Sequence, residues 1–93
     1  MSKINYNIYV FTTHQILVKS SPILRVIHDE DGDWQFLNSD DSLDEKDARI
    51  VSLGEIISLD YTLSAVMNLP KGKQANRDFV GGKWSFLDLM PTL

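Results

Sequence analysis

Asp31-Gly32 lies between two half-apolar runs, Ile23–Glu30 and Asp33–Asn38, and constrains the fold more than any other pair in the chain. Asp-Gly is the preferred pair for a two-residue type I′ turn, in which both central residues need positive φ. A tight turn here makes the two runs an antiparallel hairpin and sets its expected register. Glu30 faces Asp33, Asp29 faces Trp34, His28 faces Gln35, Ile27 faces Phe36 and Val26 faces Leu37. One face then gathers Ile23, Ile27, Trp34 and Phe36, and the other Leu24, Val26 and Leu37. The acids crowd the turn and are expected in water.

The rest of the chain reads as short elements. Ile4–Thr12 carries Ile4, Tyr6, Ile8 and Val10 on one parity and Tyr9 and Phe11 on the other, a strand apolar on both faces. Thr12-Thr13-His14 reads as a turn, Gln15–Lys19 as a short strand and Ser20-Ser21-Pro22 as a break. Ser39–Asp47 is polar and aperiodic, hence a loop, and Ala48–Val51 a short strand. Ser52-Leu53-Gly54-Glu55 is a capping box that opens a helix over Leu53–Leu59. Asp60 is a second N-cap, for a helix over Tyr61–Asn68 with Leu63, Val66 and Met67 inward, stopped by Leu69-Pro70-Lys71-Gly72. Lys73–Val80 shows no clear period, and Lys83–Leu89 reads as a last strand. Strands, two short helices and a strand imply one α+β domain over 1–93: an antiparallel sheet of four to five strands with the helices on one face. The segment at Gln15 or the C-terminal strand is the expected edge.

Charge is uneven. Residues 1–47 hold nine acids against four bases, and residues 48–93 four acids against five bases, within a net charge of −4. An acidic front half argues against general nucleic-acid binding, where phosphate neutralisation supplies much of the affinity. It suits a basic protein partner, because opposite patches steer association. There are no cysteines, so thiolate, disulfide and cysteine–metal chemistry are excluded. The N-terminal run is broken by Asn5 and Asn7 and lacks the apolar core of a signal peptide, and no apolar run is long enough to span a bilayer. A cytoplasmic protein without membrane contact is the expectation.

Catalytic and metal readings fail on spacing. Asp29, Asp31 and Asp33 mimic the opening of an EF-hand loop, but the required sixth-position Gly is Trp34 and the twelfth-position Glu is Asp40. His28 beside Asp29 on a strand points to the opposite face, so adjacency makes no dyad. No nucleophile elbow or phosphate loop is present, and Gly81-Gly82 opens no helix. Neither an enzyme nor a cofactor is expected. Lys73 and Arg77, in a basic cluster near Trp84, are an alternative anion- or small-molecule-binding pair, unless Arg77 serves the acidic hairpin of its own fold.

Asp33-Trp34-Gln35-Phe36 after an acidic turn, Leu69-Pro70-Lys71-Gly72, Ala75-Asn76-Arg77-Asp78 and Trp84 resemble the pattern of a group of small uncharacterised bacterial proteins. Some relatives of that group are classed as immunity proteins of polymorphic toxin systems. The resemblance spans Ile23 to Trp84; Asn38-Ser39 stands where such relatives show Gly. It implies a non-catalytic domain, with toxin neutralisation as one role. The leading expectation is therefore a protein-binding module with an acidic rim of Asp29, Glu30, Asp31, Asp33, Asp40 and Asp41. Trp34 and Tyr61 are its aromatic anchors, and a homodimer fits the same outline.

Overall fold

Six short strands join in one mixed sheet in the order β4-β1-β3-β2-β5-β6, seen in a computed structural model that describes residues 4–39 and 44–89. The strands are β1 (Tyr9–Thr13), β2 (Arg25–His28), β3 (Trp34–Leu37), β4 (Ala48–Ser52), β5 (Lys73–Asn76) and β6 (Ser85–Asp88). Only β1 and β3 run parallel; every other neighbouring pair is antiparallel. Three short helical elements complete this α+β fold: α1 (His14–Lys19), α2 (Leu53–Leu59) and a 3-10 helix, Tyr61–Val66. The expected sheet thus gains a strand or two and one parallel pair, and the expected two helices become three. No helix among the described residues is long and apolar enough to cross a membrane.

The hairpin exists, but its loop is a residue longer than a type I′ turn. The Asp29 amide donates to the Asp33 carbonyl (3.0 Å) and the Gly32 amide to the Asp29 carbonyl (3.0 Å). Asp31 stays at negative φ and only Gly32 is positive, at 93°. This is the three-residue loop in which a type I turn closes on a left-handed glycine. Register therefore slips by one: His28 faces Trp34, Ile27 Gln35, Val26 Phe36 and Arg25 Leu37. A one-residue slip turns one strand over against its partner, so Val26, not Ile27, joins Trp34 and Phe36 inside.

That side of the sheet is the core. Val10, Val26, Trp34, Phe36 and Ala75 pack with Ile16 of α1, Leu53 and Ile56 of α2, and Leu63 and Val66 of the 3-10 helix. Caps fix where these helices begin. The Ser52 hydroxyl accepts from the Glu55 amide (3.2 Å), as the capping box requires. The Asp60 carboxylate accepts from the Thr62 amide (3.0 Å), although the element it starts is a 3-10 helix ending at Val66. Thr13 caps α1, its hydroxyl accepting from the Ile16 amide (3.4 Å). The segment expected to be a second strand is this helix, and Thr12 and Thr13 close β1 rather than form a turn. Both threonines are buried, and the Thr12 hydroxyl donates to the Phe36 carbonyl (2.9 Å).

Candidate functional site

The helices cover one face of the sheet; the other is built from the alternate residues, which the registers align in rows. The middle row crosses all six strands as Ile50, Phe11, Gln35, Ile27, Gln74 and Leu87. At the usual strand spacing it is roughly 24 Å long. It contains no charged side chain. Ile50 and Leu87 at its ends are exposed, and Phe11 and Ile27 are half-buried. None of these residues belongs to the core cluster. Tyr9, on the same parity of β1, is exposed as well. The Asp29–Asp33 rung extends the β2–β3 ladder one step past His28–Trp34, so the acidic turn stands directly at one end of this face.

That turn is held in one shape. The Asp29 carboxylate accepts from the amides of Asp31 and Asp33 (3.0 Å each), an Asx arrangement that fixes the loop. The Gly72 amide donates to the His28 carbonyl (2.7 Å), which docks the Leu69–Gly72 turn against the hairpin. Gly72 has φ of 80°, and a Cβ there would collide with the Glu30 carboxylate. The Lys71 stem lies over Gly32, 3.3 Å from where a Cβ would stand. Asp31 and Asp33 remain exposed. Of the other expected rim residues, Asp40 and Asp41 lie outside the described residues.

The two aromatic anchors part company. Trp34 is only 8 % exposed; its ring stacks on His28 (centroids 3.9 Å apart, planes at 10°), while His28 Nδ1 donates to the Leu69 carbonyl (2.7 Å). Trp34 is thus spent on its own core. Tyr61 is 80 % exposed, but it borders a cleft beside Pro22 and Ile23, at the opposite end of the sheet from the acidic turn. The six of the expected residues that are described do not make one surface. The cleft, of about 540 Å³, is walled by Ile16, Leu17, Pro22, Leu59, Tyr61 and Val80.

Arg77 and Lys73 do not converge either. The Arg77 side chain is fully buried and makes four hydrogen bonds within the fold. Its Nε and Nη2 donate to the Ile23 carbonyl (3.1 and 2.9 Å), Nη1 donates to the Thr62 hydroxyl (2.7 Å), and Nη2 meets Asp60 Oδ2 at 2.5 Å. The Trp84 ring lies against the guanidinium at 4.3 Å. Its carboxylate partner is Asp60, not an acid of the hairpin. Lys73, at the other end of β5, pairs with Asp88 across the β5–β6 hairpin. Among the described residues no cluster of three or more His, Asp or Glu is placed to hold a metal ion.

Sequence reasoning missed the uncharged row. The apolar parity of Tyr9 and Phe11 is legible, but the two-residue turn puts Ile27 on the face of Trp34 and Phe36, and Gln74 lies in a segment without periodicity. No family model matches the chain, and neither does any curated protein or solved structure.

Proposed function

We propose that the chain is a non-catalytic protein-binding module that docks through the uncharged middle row of the open sheet face, steered by the acidic turn beside it. The observation that carries this reading is the six-residue row from Ile50 to Leu87, with exposed carboxylates at one margin. An uncharged centre is cheaper to desolvate than a charged one, whereas a charged margin accelerates encounter and selects a partner of opposite sign. The partner is accordingly a basic protein with an apolar patch. An immunity-type inhibitor of a toxin is the form of this reading that the sequence resemblance implies.

The test takes the partner identified by affinity capture and measures its kinetics with two variants. Asp31→Lys combined with Asp33→Lys should slow association by roughly tenfold at low salt and flatten the salt dependence. Ile27→Arg should instead accelerate dissociation, because it buries a charge at the centre of the contact. An unchanged on-rate and salt slope would reject the steering role, and an unaffected complex with Ile27→Arg would reject the face.

A second reading, small-molecule binding, is favoured by the 540 Å³ cleft, whose size and apolar walls suit a compact ligand. It moves the alternative site from Lys73 and Arg77 to the rim at Leu59 and Tyr61. A thermal-shift screen should then find a compound whose stabilisation disappears with Leu59→Arg but persists with Ile27→Arg.

A further inference from the structure

The sheet has two edges, and the chain treats them differently. On β4, the Leu53 amide donates to the Ile8 carbonyl and the His14 amide to the Asp47 carbonyl. Hydrogen-bonded pairs alternate along an antiparallel ladder, so Val51 and Arg49 face β1 while the peptide groups of Ala48, Ile50 and Ser52 face outward. The Arg49 guanidinium folds back over this edge, with Nη1 donating to the carbonyls of Ala48 (2.9 Å) and Lys46 (3.1 Å). One outward acceptor is thereby occupied and a cation stands on the rim, both recognised ways of blunting an edge.

On β6 no such device exists among the described residues. The Leu89 amide donates to the Gly72 carbonyl, so Leu87 and Ser85 face β5 and the peptide groups of Phe86 and Asp88 face outward. The strand Ser-Phe-Leu-Asp holds no Pro, Lys or Arg and is exposed at all four residues. Its single charge, Asp88, is paired internally with Lys73. Among the described residues nothing pairs with the outward groups.

We propose that β6 pairs antiparallel with β6 of a second copy of this chain, about a two-fold axis through Leu87. The parity selects this register. Centring on Leu87 lets Phe86 exchange both backbone hydrogen bonds with Asp88 of the other copy, and the reverse, using every outward group of the strand. Centring on Asp88 would set two carboxylates directly opposite each other, which is destabilising. Centring on Phe86 would oppose Asp88 to Trp84, which lies outside the strand. With Leu87 on the axis, the uncharged row runs on from one copy into the next, and Leu87, 56 % exposed in the monomer, is covered by its equivalent. One strand pairing lies at the small end of specific interfaces, so the dimer is concentration-dependent rather than permanent. This assembly stands apart from the docking reading above, whose partner occupies a face and not an edge.

The test is sedimentation equilibrium of the full chain from micromolar to millimolar concentration. The average mass should climb toward twice that of the monomer. Leu87→Lys should hold it at the monomer value, while Ile50→Lys, an equivalent change on the β4 edge, should leave the climb intact. Because the chain has no cysteine, single-cysteine variants read the register even if a lysine variant folds poorly. A Leu87→Cys pair would sit at a non-hydrogen-bonded position with Cα atoms about 4.5 Å apart, within disulfide reach. A Phe86→Cys pair would lie diagonally, roughly 7–8 Å apart, beyond it. Under mild oxidation Leu87→Cys should therefore form a covalent dimer roughly tenfold faster than Phe86→Cys or Ile50→Cys. A monomer at every concentration overturns the proposal, including one whose β6 accepts only an extended peptide of another protein. So does a dimer that survives Leu87→Lys or crosslinks fastest elsewhere.

Discussion

Asp60→Ala should be the most damaging single change on the polar side of this fold, and the reason lies in what it leaves behind. The Arg77 side chain has no exposed surface, while that of Asp60 keeps 11 %. Removing Asp60 strands a guanidinium whose remaining acceptors, the Ile23 carbonyl and the Thr62 hydroxyl, are neutral. Breaking a buried pair from one side costs about 3–5 kcal/mol, because the surviving charge stays desolvated. The same substitution deletes the cap of the 3-10 helix, worth about 1 kcal/mol. In a domain of this size total stability is about 5–15 kcal/mol, so a third or more is at stake. At about 4–8 °C per kcal/mol the melting temperature should fall by roughly 15–50 °C. Arg77→Met should cost less, about 2–3 kcal/mol, since Asp60 can turn to water and Met keeps the contact with Trp84. The double variant Asp60→Asn with Arg77→Met should be milder than the sum of those two changes made singly, because together they leave no buried charge. Urea unfolding followed by circular dichroism measures all of these. If Asp60→Ala costs under 1 kcal/mol, or less than Arg77→Met, the picture of a desolvated and internally neutralised arginine is wrong.

Further substitutions probe backbone and turn at three places. Gly72→Ala should destabilise by about 1–2 kcal/mol, because φ is 80° and the new methyl meets the Glu30 carboxylate; Glu30→Ala in the same chain should restore the steric share of that loss. Ser20→Gly should stabilise by about 0.5–1 kcal/mol, since Ser20 ends α1 at φ 57°, where glycine carries no side-chain penalty. Asp29→Ala should cost about 1–2 kcal/mol by releasing the amides of Asp31 and Asp33, whereas Asp31→Lys should stay within about 0.5 kcal/mol. Denaturant midpoints separate the last two, and equal losses would show that the acids act only as summed charge.

The elements most legible in the sequence were those with a local chemical marker. Ser52 and Glu55 announced α2 to the residue, Asp60 announced the next helical turn, and Asp31-Gly32 announced a reversal. What sequence misjudged there was loop length. Asp29, able to accept from two amides of the loop, was the signal for three residues instead of two, and that single residue decides whether Val26 or Ile27 enters the core. α1 was hidden because Ile16, Leu17 and Val18 read as strand, although Thr13 was an available cap. β5 had no local signal at all: in Lys73–Asn76 only Ala75 is buried, and the segment is a strand because β2 and β6 pair on either side. The parallel pairing of β1 with β3 is likewise a tertiary choice, made when the α1 connection returns the chain to β2 and the hairpin inserts β3 beside β1. The uncharged row could not be read from sequence because it exists only once five registers are fixed.

Those registers also divide labour between the two ends of the sheet. At the Ile23–Asn76 end, one ion pair is turned inward: Arg77, just after β5, is tied to Asp60 and Thr62 of the 3-10 helix and its cap. At the hairpin end, charge is turned outward, yet its backbone is braced by Asp29 and by the Gly72–His28 hydrogen bond. A floppy acidic loop would lose conformational entropy on meeting a partner, which subtracts from affinity. A braced one would hold Asp31 and Asp33 at the margin of the uncharged row before any partner of the kind proposed arrived. The same chemical group, a carboxylate, thus stabilises the fold at one end and stands exposed at the other. What separates the two uses is whether the backbone or a buried cation has already claimed its oxygens.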